Sequence, residues 1–268
     1  MHDKVIVITG SSQGIGLGLA REFLRQECKV VVNSRREEKI ESIVNDLAKN
    51  DESKNVFGFA ADVTDFNALS NLWKKAIENF GKVDIWINNA GINHATLPCQ
   101  ELSTEAIEQV IKTNVLGAIY GCNVAIAGMQ KQGFGFIYNM EGMGSNGMVI
   151  EGQSIYSTSK AALTHYTKSI IKEQKGNPVK VGYIRPGMVM TDMLLNEDIS
   201  EYQDYERFKR ITNILADRVE TVAPYIVGEV LKNQKHGARI SWLTTSKTFW
   251  RFLTAPFNNR DLFNEETQ

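Results

Sequence analysis

The chain has 268 residues, of which 43% are hydrophobic, and a formal net charge of −1 at pH 7. This length suits one large α/β domain, and the near-neutral charge argues against a general nucleic-acid-binding protein. Three scattered cysteines, Cys28, Cys99 and Cys122, show neither metal-ligand spacing nor a disulfide framework, which suits a reducing compartment. We expect no signal peptide and no membrane span, since the chain lacks about 18 consecutive uncharged apolar residues.

Strand and helix patterns alternate along the sequence. Strands are predicted at residues 5–8, 29–33, 55–60, 83–87, 135–139, 179–184 and 239–243. Helices are predicted at residues 17–24, 37–49, 65–80, 104–132, 155–174 and 221–233. These repeated strand–helix units predict an α/β fold with a doubly wound parallel sheet of seven strands, helices on both faces and a single domain over residues 1–268.

A glycine-rich turn follows the first predicted strand. Its residues with predicted cofactor contacts are Gly10, Ser12, Gln13, Gly14, Ile15 and Gly16. Glycines let the backbone approach an anion, and the free N–H groups at a helix start bind it. A tight loop is the alternative, but the order strand, turn, helix favours a pyrophosphate site in a Rossmann-type domain.

Tyr156 and Lys160 lie four residues apart in a predicted helix. This spacing puts both side chains on one face, within reach of each other. A lysine charge beside a phenol favours the phenolate, so the pair makes a proton donor that works near neutral pH. Taken alone, the pair fits two ordinary surface residues equally well.

Together, these motifs resemble the short-chain dehydrogenase/reductase family along nearly the whole chain. The matching segments are Thr9-Gly10-x3-Gly14-Ile15-Gly16, Asp62-Val63, Asn88-Asn89-Ala90-Gly91, Asn114, Tyr156-x3-Lys160 and Pro186-Gly187. The resemblance implies a carbonyl reductase in which the substrate carbonyl lies over the nicotinamide, which delivers hydride. Tyr156 is then the general acid, Lys160 holds the ribose hydroxyls, and Asn114 fixes a water or simply makes a buried hydrogen bond.

The remaining cofactor contacts follow from the same resemblance. Asp62 accepts from the adenine amino group beside Val63, unless it merely caps the following helix. Further contacts are expected from the segment after the fourth strand (Asn89, Ala90, Gly91) and the segment after the sixth (Pro186, Gly187, Val189, Thr191). The latter segment is expected to hold the nicotinamide carboxamide.

The second strand ends in Ser34, followed by Arg35 and Arg36. Enzymes that use NAD place an acidic residue here to hold the ribose 2′-hydroxyl. The two arginines can clamp a 2′-phosphate, although they also fit a solvated helix start. The missing carboxylate favours NADP(H).

The chain departs from the family after the fifth strand, where members carry a serine that donates to the substrate carbonyl. Glu141 and Gly142 stand in its place, and Ser145 follows three residues later. Ser145 swings in, a backbone N–H replaces the serine, or Tyr156 acts alone. Glu141 either contacts a polar substrate, a water or a metal, or is a solvated loop residue. No metal site is predicted from the sequence.

This departure resembles the chlorophyll b reductase branch of the family, which reduces the C7 formyl group of chlorophyll b with NADPH. The implied substrate is a bulky hydrophobic carbonyl compound, a tetrapyrrole or another hydrophobic aldehyde, ketone or alcohol. The alternative is a non-catalytic NADP(H)-binding regulator, against which the joint retention of Tyr156, Lys160 and Asn114 argues.

Two segments outside the sheet are expected to serve the substrate or a partner. Residues 192–216 are predicted to be a substrate loop, with Met193 and Leu194 at its apolar start. The aromatic, basic tail at 244–268 lies at a membrane surface, covers the pocket or forms an oligomer contact. The helices at 104–132 and 155–174 resemble dimerisation helices, so a homodimer or homotetramer is expected, in the cytoplasm or a plastid stroma.

Overall fold

The computed structural model describes residues 3–50, 54–195, 205–258 and 260–263, apart from the side chain of Asn50. The strands are β1 (Val5–Ile8), β2 (Lys29–Ser34), β3 (Val56–Ala60), β4 (Ile85–Asn88), β5 (Gly135–Met140), β6 (Val179–Arg185), β7 (Val189–Met190), β8 (Asp217–Arg218) and β9 (Arg239–Ser241). Seven of them form one parallel sheet in the order β3-β2-β1-β4-β5-β6-β9. The predicted doubly wound seven-stranded sheet is confirmed.

Helices cover both faces of this sheet. They are α1 (Gly14–Arg25), α2 (Glu37–Leu47), α3 (Phe66–Phe80), α4 (Thr104–Ile111), α5 (Ala118–Gln132), α6 (Ser154–Glu173), α7 (Asp192–Leu195), α8 (Tyr205–Leu215), α9 (Val219–Lys232) and α10 (Thr245–Thr254). Successive strand residues point to opposite faces. Ile6 and Ile8 therefore pack in one core with α1 and α9, whereas Val7 packs in a second core with α3 and α5. All three side chains are fully buried.

The strand order places two chain turns side by side at the carboxyl edge of the sheet. β1 lies between β2 and β4, and the direction of winding reverses at this point. The glycine turn after β1 therefore lies next to the segment Asn89–Gly91 after β4. This is the edge at which doubly wound sheets bind ligands.

One helix was predicted over residues 104–132, but the structure divides it into α4 and α5. A π-helical segment, Lys112–Gly117, joins them and carries Asn114. Such π segments occur often at functional sites. Thr104–Gln132 is long and apolar enough to cross a membrane by length and composition. Cys122, Ala125 and Met129 are nevertheless buried in the sheet core, which identifies it as a core helix.

The predicted substrate loop contains regular structure. α7 and α8 lie within residues 192–216, and β8 pairs with β7, while residues 196–204 lie outside the described part of the chain. The last strand stops at Ser241 and not at residue 243 as predicted, because its partner strand β6 ends at Arg185, opposite Ser241. Thr244 then caps α10 by accepting from the Lys247 N–H at 3.2 Å. α10 forms the ordered start of the aromatic tail.

Candidate active site

The glycine turn after β1 forms a shallow backbone cradle. Gly10 and Gly14 have φ angles of 62° and 54°, which side chains rarely tolerate. A Cβ on Gly16 would lie 2.5 Å from Asn89 Nδ2. Gln13, the N-cap of α1, makes no side-chain cap hydrogen bond. No Gln13 side-chain cap therefore occupies the first N–H groups of α1, and uncapped N–H groups at a helix start are the kind that bind a phosphate.

Thr9, which the sequence analysis overlooked as a site residue, joins this cradle to the segment after β4. Its hydroxyl oxygen accepts from the N–H groups of Asn89 and Ala90, both at 3.1 Å. Asn89 Nδ2 donates back to the carbonyls of Thr9 and Gly10 at 2.9 and 3.0 Å. Asn89 Oδ1 is buried and has no hydrogen-bond partner among the described residues, which leaves an acceptor for a ligand hydroxyl.

The end of β2 is fixed against the same cradle. Ser11 Oγ accepts from the Asn33 N–H at 2.9 Å, and Asn33 Oδ1 accepts from the Gly10 N–H at 3.3 Å. Asn33 is buried, whereas Arg35 and Arg36 are exposed beside half-buried Ser34. Arg35 and Arg36 thus come directly after the end of β2, which is hydrogen-bonded to the glycine turn.

Asp62 and Val63 follow β3. Asp62 Oδ1 accepts from both the N–H and the hydroxyl of Thr64 at 2.8 Å. The helix cap is instead Asp65, whose carboxylate accepts from the N–H groups of Asn67 and Ala68. Asp62 therefore forms a local turn and its proposed adenine contact stays a prediction.

The segment after β6 lies opposite the cradle. Gly187 has a φ of 78°, and a Cβ on it would lie 2.6 Å from the Leu243 Cβ. A Cβ on Gly14 would lie 3.4 Å from Thr191 Cγ2. The glycine turn and Thr191 therefore lie side by side, so the segments predicted to hold the pyrophosphate and the nicotinamide are adjacent. Pro186 is buried just before this segment.

Tyr156 and Lys160 lie on α6, at the carboxyl edge of β5. The Lys160 ammonium nitrogen is 5.8 Å from the centroid of the Tyr156 ring and donates to the Met140 carbonyl at 3.3 Å. Lys160 is only 4% exposed. This burial lowers the pKa of its ammonium group to about 8, and the charge of Glu141 opposes the shift.

Asn114 holds the loop after β4 against α6. Its Oδ1 accepts from the Ile92 N–H at 2.8 Å, and its Nδ2 donates to the Ile92 carbonyl at 2.9 Å and to Ser159 Oγ at 3.0 Å. A Cβ on Gly91 would lie 3.3 Å from Asn114 Oδ1 and 3.5 Å from Lys160 Nζ. The expected buried hydrogen bonds are present, and the water-binding role stays a prediction.

His94 is a further residue that the sequence analysis missed. Its Nε2 accepts from the Tyr156 N–H at 3.2 Å, while its Nδ1 lies 2.7 Å from the Ala95 carbonyl. With Nε2 as the acceptor, the matching tautomer has its proton on Nδ1, which then donates to the Ala95 carbonyl. The ring is 7% exposed and supports the first turn of α6, where Tyr156 lies.

Ser145 and Gly142 form a turn around the base of Lys160. Ser145 Oγ accepts from the Gly142 N–H at 3.1 Å and donates to the Lys160 carbonyl at 3.4 Å. A Cβ on Gly142 would lie 2.8 Å from the Tyr156 hydroxyl. The Ser145 hydroxyl thus holds the loop against α6, and its contact with substrate stays a prediction.

Glu141 is not a solvated loop residue, so that alternative is wrong. Its side chain is 1% exposed, and its carboxylate binds Arg185 Nε at 2.8 Å and Arg239 at 3.1 Å. The same carboxylate accepts from Thr164 Oγ1 at 3.3 Å. Glu141 links β6, β9 and α6 directly below the site, which the sequence did not reveal because both arginines are distant along the chain. Its predicted contact with substrate is untested.

The other two predicted substrate residues, Met193 and Leu194, lie on α7, which begins directly after Thr191. Met193 is 41% exposed, and the Leu194 N–H donates to the Thr191 carbonyl at 2.8 Å. Their position beside the nicotinamide segment is consistent with the predicted role and does not test it.

The sequence and the fold are both similar to those of known proteins. Residues 4–201 match the family model described as short chain dehydrogenase. The chain is 38% identical over 84% of its length to "Chlorophyll(ide) b reductase NOL, chloroplastic" of Oryza sativa subsp. japonica. It is 36% identical over 93% of its length to the Arabidopsis thaliana protein of the same name. It spans 66% and 70% of the lengths of these two relatives, which are therefore longer proteins.

Solved structures agree on the fold. Levodione reductase superposes with a TM-score of 0.81 at 22% identity, covering 92% of this chain and 98% of that one. A variant of ElxO with NADPH bound superposes with a TM-score of 0.77 at 28% identity, covering 89% and 96%. With a matched family model over most of its length, the chain belongs to the short-chain dehydrogenase family.

Proposed function

We propose that the protein is an NADPH-dependent carbonyl reductase that reduces the C7 formyl group of chlorophyll b, or of a similar tetrapyrrole, to hydroxymethyl. The observation that carries the proposal is the convergence of Tyr156, Lys160 and Asn114 on one sheet edge beside the glycine cradle. Identity of 36–38% to chlorophyll(ide) b reductases supports the substrate class.

Three features of the chain support NADP(H) as the cofactor. The cradle and the buried Asn89 Oδ1 fit a dinucleotide, and Arg35 and Arg36 supply two cations where an acidic residue would exclude a 2′-phosphate. Structural neighbours with NADH and with NADPH bound support a nicotinamide cofactor, and the arginine pair favours NADP(H). When bound, NADPH supplies the hydride.

The side chains of the site handle the proton. Tyr156 donates its hydroxyl proton to the developing alkoxide as general acid. Lys160 favours the resulting phenolate by its charge and binds the ribose hydroxyls. Because Gly142 stands in place of the family serine, no side chain at that position donates to the carbonyl oxygen. Tyr156 is then the principal activator of the carbonyl.

The test follows oxidation of NADPH by its absorbance, with a formyl tetrapyrrole and a panel of hydrophobic aldehydes. We expect turnover of the tetrapyrrole by the wild type, and loss of at least about a hundredfold in Tyr156→Phe with the Kd for NADPH nearly unchanged. An active Phe variant would refute the role of Tyr156. Turnover of the simple aldehydes without turnover of the tetrapyrrole would identify the substrate as a hydrophobic aldehyde.

A second candidate is a non-catalytic NADP(H)-binding regulator, favoured by the absence of the serine. Tight NADPH binding without turnover of any carbonyl would support it.

For the compartment, the relatives named as chloroplastic support a plastid stroma, or the cytoplasm in an organism without plastids. For the assembly we propose a homodimer or homotetramer through α5 and α6, whose outer faces line a shallow cavity of about 300 Å³.

A further inference from the structure

α10 presents an apolar face that the site does not use. Phe249, Trp250 and Leu253 are 63%, 60% and 54% exposed, and Phe257 beyond the helix is 90% exposed. At 100° per residue, Phe249, Trp250 and Leu253 lie within one side of α10, and Phe257 follows in the turn after the helix. A group of large apolar side chains exposed together marks an interaction surface.

This exposure belongs to a fixed helix. Asp217, only 4% exposed, accepts from Trp242 Nε1 at 2.6 Å, from Arg251 at 2.7 Å and from Arg260 at 2.9 Å. Arg251 also donates to the Leu215 carbonyl at 2.9 Å. Residues before, within and after α10 are therefore bound to the end of α8 and to β8. Packing against the domain leaves the aromatic side chains outward.

A basic cavity of about 850 Å³ lies between α8 and α10, beside this face. Among the residues that the structure describes, five cations and one carboxylate line it: Arg207, Lys209, Arg210, Arg251, Arg260 and Glu206. Apolar atoms of Ile211, Ile214 and Phe252 complete its wall. Arg251 and Arg260 pair with Asp217, so Arg207, Lys209 and Arg210 supply the excess positive charge of this lining beside Glu206.

We propose that α10 and this cavity form a docking surface for a membrane that carries anionic lipids. Phe249, Trp250, Leu253 and Phe257 enter the boundary between headgroups and acyl chains, and the cavity receives a lipid phosphate. An aromatic helix face beside arginines and lysines is the arrangement that binds such interfaces. A symmetric contact between two copies of this face is disfavoured, because it would bring the two sets of cations together.

The test is co-sedimentation of the full chain with phosphatidylcholine vesicles and with vesicles that also contain phosphatidylglycerol. The wild type is expected to bind the anionic vesicles and to bind less at higher salt. Two variants separate the contributions: Phe249→Ser with Trp250→Ser, and Arg207→Glu with Arg210→Glu. Each pair should weaken binding by at least about tenfold. Arg251 and Arg260 are left intact because they anchor the tail.

Matched controls are Phe134→Ser, which removes a ring that is 43% exposed at the turn before β5, and Lys131→Glu. Both controls should bind as the wild type does, and thermal unfolding should show that all variants are folded. Absence of wild-type binding to anionic vesicles would overturn the proposal, as would equal loss in the controls. Sedimentation equilibrium tests the remaining outcome, a contact between two copies of the chain. A wild type that is dimeric and does not bind vesicles, together with a monomeric Phe249→Ser, Trp250→Ser variant, would identify that contact and overturn the membrane proposal.

Discussion

A Cβ on Gly142 would lie 2.8 Å from the Tyr156 hydroxyl and 3.1 Å from Cε of Lys160. Heavy atoms do not approach a Cβ this closely, so a side chain at residue 142 requires a shift of the Tyr156 hydroxyl or of the loop that carries residue 142. The glycine therefore does more than omit a hydroxyl donor. It leaves the space in which the Tyr156 phenol lies.

We predict that Gly142→Ala lowers kcat for the carbonyl substrate by at least about tenfold, because displacement of a reacting group by a fraction of an ångström is costly. The Kd for NADPH should change little. Gly228→Ala is the matched control, since a Cβ there meets nothing within 4 Å and helix α9 tolerates alanine. The measurement is steady-state kinetics of both variants. Full activity of Gly142→Ala would show that a methyl group at residue 142 does not disturb the Tyr156 hydroxyl.

The second prediction concerns the choice between NADPH and NADH. Arg35→Ala with Arg36→Ala should raise the KM for NADPH by at least about tenfold, because even one charge-assisted hydrogen bond to the 2′-phosphate contributes about 1.5–3 kcal/mol. The KM for NADH should stay nearly constant. Arg21→Ala, which removes an exposed cation from α1, controls for a general change in charge. Equal effects on both cofactors would contradict a 2′-phosphate contact.

Most of the fold was predictable because its strands are short apolar runs between helical patterns. Val30, Val31 and Val32 mark β2 as a buried parallel strand, and Gly81 and Gly133 end α3 and α5 in the left-handed conformation. The π segment around Asn114 was not predictable from periodicity, because it changes the winding of the helix without changing its apolar face.

The motifs located the cofactor cradle and Tyr156 with Lys160, since each lies in one short stretch of sequence. Glu141 was misjudged because its partners Arg185 and Arg239 come from two later strands. His94 was missed for a similar reason: its contact is with a backbone N–H that lies 62 residues away. Only the sheet order brings such residues together.

The pH dependence of stability provides a third prediction, for the apoprotein. Unfolded lysine keeps its proton up to about pH 10.4, whereas burial lowers the pKa of Lys160 to about 8 in the folded chain. Between these values the unfolded state binds more protons, so stability from this group rises with pH. Lys160→Met should therefore be more stable than the wild type near pH 7, and this advantage should shrink toward pH 10. The measurement is denaturant unfolding of both proteins across this pH range. If the pKa of Lys160 were not lowered, the two curves of unfolding free energy against pH would run parallel.

The fourth prediction concerns the buried carboxylate of Glu141. Glu141→Gln leaves the guanidinium groups of Arg185 and Arg239 beside a neutral amide, and removing one partner of a buried ion pair typically costs about 3–5 kcal/mol. Because the two arginines are 29% and 37% exposed, water can solvate them in part. We therefore expect the lower end of that range, measured as the change in the free energy of unfolding.

Asp46→Asn is the matched control, because Asp46 pairs with Arg21 and Lys49 on the surface and such pairs contribute about 0–1 kcal/mol. The charge of Glu141 also raises the pKa of Lys160 against the effect of burial. Glu141→Gln should then move the proton release of Lys160 to lower pH, with a matching shift in the pH dependence of unfolding. A variant that loses stability without this shift would show that Glu141 only joins the strands, because the electrostatic link to Lys160 would be absent.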